Sequence, residues 1–104
     1  MGIGPVFAIP KLLRQTGLSV ADVGLWEINE AFACQVLHCR DQLGIPNDRL
    51  NVNGGSLAIG HPFAATGARV LAALAKALAA RGSGRGLVSV CTAGGMGIAA
   101  IVER

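Results

Sequence analysis

Apolar residues recur at helical spacing three times along this chain, and the stretches between them read as strands. Over residues 6–16, Ile9, Leu12, Leu13 and Thr16 fall on one face. Pro10 is expected in the first turn of that helix and Gly17 just past its end. Ser19-Val20-Ala21-Asp22 predicts one short helical turn. Residues 25–28, Leu-Trp-Glu-Ile, read as a short strand. Asn29 then opens a second helix over 30–43, with Phe32, Val36, Leu37 and Leu43 mostly on one side and Gly44 and Pro46 as its stop. A short strand over 50–53 leads into a glycine loop. Thr66 is placed to cap a third helix over 67–81, where Leu71, Leu74 and Leu78 form the apolar stripe. Residues 86–92 are almost continuously apolar, the mark of a strand covered on both faces. Ala93-Gly94-Gly95 makes a tight turn, and 96–103 run back as a last strand.

This alternation predicts an α/β fold with helices flanking a mainly parallel sheet, and an antiparallel final pair. The 104 residues suit one domain, which at this size buries roughly 60–70% of the surface its unfolded chain exposes. Hydrophobic residues are nevertheless 52% of the chain and charged ones only 14%, with a mean hydropathy of +0.53. So apolar a small domain implies a covering layer from a second domain or subunit. The net charge is +3, but the basic residues are scattered, and one Trp with no Tyr offers no stacking platform, so nucleic acid is not an expected partner. No apolar run is read as approaching the ~20 residues that cross a bilayer, and no membrane association is expected. The cysteines are Cys34, Cys39 and Cys91. An odd number, with no charged-then-apolar leader, leads to the expectation of a reducing, cytoplasmic location.

Candidate chemistry gathers around residues 51–69. His61 supplies the imidazole of that stretch, held between Gly60 and Pro62. It suits a donor aimed into a cleft, and a structural role is equally open. Cys91 ends a buried strand just before glycines whose backbone N–H groups can point inward. An inert core thiol and a thiol that accepts and returns a proton both fit. Asn29 is either a helix cap or an amide that fixes a water or a substrate oxygen. Cys34 and His38 share a helix face, but two further ligands have no source, so no metal site is expected. Residues 55–60 have P-loop spacing, yet His61-Pro62 stands where Lys-Ser/Thr is required.

Three stretches in order, Asn29-Glu30-Ala31-Phe32-Ala33, Asn53-Gly54-Gly55 through Gly60-His61-Pro62 to Gly67-Ala68-Arg69, and Cys91-Thr92-Ala93-Gly94-Gly95-Met96-Gly97, resemble the C-terminal half of a thiolase. The resemblance covers essentially the whole chain and makes it one domain, 1–104, incomplete at its N-terminal end. It implies acyl transfer between a 3-oxoacyl-CoA and CoA, by thiolysis in fatty-acid β-oxidation or by Claisen condensation, with coenzyme A as substrate and no cofactor. By motif position, Cys91 looks like the proton-moving cysteine and His61 like the activator of the nucleophile and an oxyanion donor. Asn29 looks like the holder of a water in that oxyanion hole. The backbone N–H of Ala93 falls where a second oxyanion hole is expected, and Phe32 and Phe63 where the acyl pocket is lined. Ala93 and Ala64 stand in place of common glycines, and Thr66 in place of a common serine.

The acylated cysteine of thiolases belongs to their N-terminal half and has no counterpart here. The chain alone is therefore expected to be inactive, with an N-terminal half or second subunit and CoA thioesters as partners, in a homo-oligomer. The resemblance also places an absent first strand at the centre of the sheet. That predicts a central gap, filled by re-pairing, by swapping with a copy or by a partner's strand. A non-catalytic acyl-CoA-binding or assembly module derived from a thiolase is the rival reading. A 3-oxoacyl synthase relative is a second, and the setting of Cys91 argues against it.

Overall fold

The computed structural model describes residues 1–104. Helix α1 spans Gly4–Thr16, strand β1 Leu25–Ile28, helix α2 Ala33–Leu43, a single-turn helix α3 Ser56–Ile59, helix α4 Phe63–Arg81, and strands β2 and β3 Arg85–Thr92 and Met96–Glu103. Two 3₁₀ turns, Val20–Asp22 and Asn47–Arg49, sit in the connections. Ser19 and Asp22 close the first of these with reciprocal capping bonds.

The sheet is mixed, in the order β1-β2-β3. β1 runs parallel to β2, with Ile28 beside Ser89. β3 returns antiparallel along the whole of β2, with Val90 opposite Ile98. Because β1 and β2 bond directly, there is no room between them for another strand, and the expected central gap is absent. The sheet needs neither a swap nor a donated strand to be continuous, and its free outer edge is β3.

The predicted strand over 50–53 shrinks to one parallel bridge from Leu50 to Trp26. Asn51 explains why. Its backbone turns into the left-handed region at φ 48°, which ends extended pairing. Its N–H still reaches the Trp26 carbonyl at 2.8 Å. Its side chain then stands in for the next strand residue: Oδ1 accepts from the Ile28 N–H and Nδ2 donates to the Ile28 carbonyl, both at 2.9 Å.

Helix starts also move. α1 begins near Pro5, and Pro10 lies inside it rather than in its first turn. α2 begins at Ala33 after Phe32, so Asn29 caps nothing. α4 begins at Phe63 after Pro62, so Thr66 lies within the helix, not at its cap. Thr66 Oγ1 instead bonds back to the Pro62 carbonyl at 3.0 Å.

α1 and α2 cover one face of the sheet, where Ile9, Leu13, Trp26, Ile28, Val36, Cys39 and Leu87 form the larger core. α4 covers the other face with Val70, Leu74 and Leu78 against Leu25 and Val88. The approach is close: a Cβ on Gly86 would lie 2.4 Å from Leu74. Leu71, expected in the buried stripe, is instead 42% exposed, as are Phe63 at 85%, Met96 at 59% and Ile98 at 64%. The chain therefore leaves apolar surface open, in line with the layer its composition calls for. By length and hydropathy, Phe63–Arg81 does pass as a membrane-crossing stretch, contrary to the sequence reading. Its buried stripe packs on the sheet, and Arg69 and Lys76 lie within it, which identifies it as a layer helix.

Candidate active site

The C-terminal ends of parallel strands β1 and β2 lie side by side, the usual place for a ligand cleft in an α/β sheet. Asn29 follows β1 directly. Its N–H donates to the Ser89 carbonyl at 2.9 Å, which ties the strand's end down. Its side chain is 1% exposed and fully engaged. Oδ1 accepts from Ser56 Oγ at 2.6 Å, and Nδ2 lies 3.3 Å from His61 Nε2 and 3.5 Å from Nδ1.

His61 reaches this position because Gly60 turns with φ 90° and Pro62 fixes the entry into α4. Its Nδ1 is 2.7 Å from Thr66 Oγ1. The Thr66 hydroxyl proton is taken by the Pro62 carbonyl, so the oxygen accepts from His61 Nδ1–H. That assigns the lone pair to Nε2, the ring nitrogen nearer the Asn29 amide. The Phe63 ring meets the imidazole edge-on with centroids 4.9 Å apart. Of the residues singled out in the sequence, His61 and Asn29 are thus brought into contact.

Glu30 holds the glycine loop in place, a role the sequence did not disclose. Its Oε1 accepts from Asn51 Nδ2 and its Oε2 from the Leu57 N–H, both at 3.0 Å. Gly55 is needed there, since a Cβ would lie 2.6 Å from the Glu30 carboxyl. The same type of pair, an acid beside a loop amide, has no sequence signature because its partners lie more than twenty positions away.

Cys91 sits near the end of β2 and is 8% exposed. By strand alternation it shares the face of Leu87, which packs under α1. It makes no hydrogen bond to Asn29 or His61, and only those two of the three are joined. The turn after it needs positive φ at Gly94 (85°) and Gly95 (82°). The Ala93 N–H donates to no backbone carbonyl of the chain. Phe32 and Phe63 are 54% and 85% exposed. A cavity of about 230 Å³ lies between Glu30, Val36, Leu50 and Leu57, away from His61.

Two ionisable groups are displaced by burial. Glu27, 4% exposed on β1, is pushed from the ordinary 4.5 to about 7 by desolvation, with Glu30 adding to the rise and Arg69 opposing it. Burial likewise raises the Cys39 thiol, which is 3.7 Å from Gln35 Nε2 and 3.8 Å from the Gly2 carbonyl. Cys39 is an interior thiol, and Cys34 an exposed one.

A family model described as "Thiolase, C-terminal domain" matches residues 1–104. The chain is 51% identical to 3-ketoacyl-CoA thiolase 1, peroxisomal, of Arabidopsis thaliana, covering 100% of the chain and 24% of that protein. The peroxisomal 3-ketoacyl-CoA thiolase of Saccharomyces cerevisiae, described as a five-layered α-β-α-β-α structure of two core domains of identical topology, superposes with a TM-score of 0.94 at 48% identity, over 100% of this chain and 30% of that one. A second structure of the Saccharomyces cerevisiae protein is of a dimeric peroxisomal thiolase, with a TM-score of 0.93 at 47% identity over 99% of this chain and 26% of that one. Human mitochondrial 3-ketoacyl-CoA thiolase in complex with CoA gives a TM-score of 0.95 at 45% identity, over 98% of this chain and 26% of that one. The chain thus spans about a quarter of the length of the curated relatives it matches. The curated relatives are peroxisomal proteins, which overturns the cytoplasmic expectation. Free thiols report a reducing environment and do not distinguish one such compartment from another.

Proposed function

The chain belongs to the thiolase family as its C-terminal domain, and on that premise we propose that it supplies the acid–base and oxyanion half of an acyl transfer between 3-oxoacyl-CoA and CoA. The observation that carries the reading is the Asn29–His61 pair, 3.3 Å apart, and the assignment of Nδ1–H to Thr66 puts the imidazole lone pair on Nε2. Such a nitrogen takes the proton of a thiol nucleophile, and once protonated it donates to the oxyanion that forms on the acyl carbon. The Asn29 amide adds a fixed donor, directly or through a water. Cys91 moves the proton to and from the carbon that becomes the enolate, and the Ala93 N–H stabilises the thioester oxygen. Phe32 and Phe63 line the acyl pocket once a partner closes over them.

The nucleophile comes from outside this chain, from an N-terminal half whose layer covers the apolar surface of α4 and β3. The five-layer build of the yeast relative and the dimeric form described for it support that arrangement, with a homo-oligomer as the complete enzyme. Purified chain should show no acetoacetyl-CoA thiolysis, and addition of the N-terminal half should produce it. Turnover by the chain alone would refute the division of labour. The rival reading, a non-catalytic acyl-CoA-binding or assembly module, draws on the open exposure of Phe63. Retained CoA binding with no activity in the reconstituted protein would select it.

A further inference from the structure

We infer that Ser56, backed by Arg69, is a positioning residue that decides which end of the Asn29 amide faces His61. The consequence for catalysis rests on the thiolase reading above; the geometry does not. A guanidinium only donates, and Arg69 Nη2 lies 2.6 Å from Ser56 Oγ. Ser56 therefore accepts from Arg69 and has one proton left to give. That proton goes to Asn29 Oδ1, 2.6 Å away.

With Oδ1 engaged, Nδ2 is turned toward the imidazole. The reversed amide would leave the Ser56 proton without an acceptor in a buried site and set an oxygen, in place of the N–H donors, against the imidazole between its two nitrogens. Ser56 is 7% exposed, and Asn29 and Thr66 are 1% and 0% exposed, so each unmet group carries its full desolvation cost. The donors run the same way in two parts, Arg69 to Ser56 to Asn29 and His61 to Thr66 to the Pro62 carbonyl, and the Asn29 Nδ2 group joins them by lying against the imidazole, 3.3 Å from Nε2 and 3.5 Å from Nδ1. Arg69 is itself held on the loop by the Gly60 carbonyl at 3.3 Å, and its Nε is buried without a partner. The two parts together join the end of β1, the first turn of α3 and the first turns of α4, three elements that meet only in the folded chain.

The experiment has two arms. Nitrogen-15 spectra of His61 in the protein as expressed should show a protonated Nδ1 and an unprotonated Nε2. Ser56→Ala should shift both toward a tautomer mixture, and Ser56→Thr should restore them. In the enzyme assembled with the N-terminal half, Ser56→Ala should lower kcat by about 10–100-fold with KM within about 2-fold, as expected when a partner that orients a catalytic group is lost. If Ser56→Ala fails to fold, Ser56→Cys, which keeps the volume and weakens the hydrogen bond, takes its place. Parent-like nitrogen shifts and kcat in the substituted protein would overturn the inference. A responsive His61 in an assembled parent enzyme without thiolysis would instead overturn the functional reading and leave the positioning role standing.

Discussion

Gly4 and Gly97 meet backbone to backbone. A Cβ on Gly4 would lie 2.1 Å from the Met96 carbonyl oxygen, and one on Gly97 2.5 Å from the Gly4 carbonyl carbon. The start of α1 is thereby pressed onto the start of β3, where Gly97 is the cross-strand partner of Cys91. Neither glycine has a positive φ, so the need is for space alone. Gly4→Ala and Gly97→Ala should each destabilise the fold by about 1–3 kcal/mol through forced backbone separation. Urea denaturation measures this, and an unchanged midpoint in both would show that the contact relaxes freely.

Asn51 should resist replacement for two separable reasons. Asn51→Ala removes both partners of the Ile28 peptide group and should cost about 2–3 kcal/mol. Asn51→Gly relieves the φ of 48° but restores neither bond, so it should recover a minor part of the loss. Comparing the two melts separates conformation from hydrogen bonding.

Glu27 predicts a pH dependence with a definite sign. Its folded-state value of about 7 lies above the ordinary 4.5, so between those values the folded chain holds a proton that the unfolded chain releases. Stability must then fall as pH rises from about 4.5 to 7, by at most about 3 kcal/mol. The charged groups that act on it are Glu30 and Arg69. Glu27→Gln should flatten this stretch of a stability-against-pH curve; a curve of unchanged slope would assign the effect elsewhere.

The open apolar surface gives a prediction about assembly. Ile98 stands opposite Val90 on the α4 side of the sheet, and Leu71 faces outward from α4. Leu71→Lys and Ile98→Lys should leave the chain's own melting within about 0.5 kcal/mol, as for exposed sites. They should also abolish co-purification with an N-terminal thiolase half. Undiminished association would place the interface on another face.

The periodicity of residues 6–16 and 67–81, the strand at 25–28 and the glycine-flanked return of 96–103 against 86–92 were all legible because helix and strand spacing are local properties. The candidate-site residues stood out as types for a similar reason: a His between Gly and Pro, an Asn at a strand's end and a Cys before a glycine turn each sit at a break in regular backbone. Their use did not. Thr66 read as a cap, and Asn29 as a cap or an amide that fixes a water or substrate oxygen; in the fold neither caps a helix and both contact His61. Asn51 read as strand and proved to be a side chain acting as one.

The sequence by itself determined the order of elements, the apolar excess that calls for another layer, and the motif residues that identify the family. Tertiary structure alone decided that β1 lies directly against β2, that Gly4 abuts Gly97, and that the bonds from Arg69 to Asn29 and from His61 to the carbonyl of Pro62 meet where the Asn29 amide faces the imidazole. The division follows from range. Spacing along the chain fixes which face a residue takes within its own element, but strand neighbours and buried donor–acceptor pairs are chosen by competition among distant segments for the same water-free space.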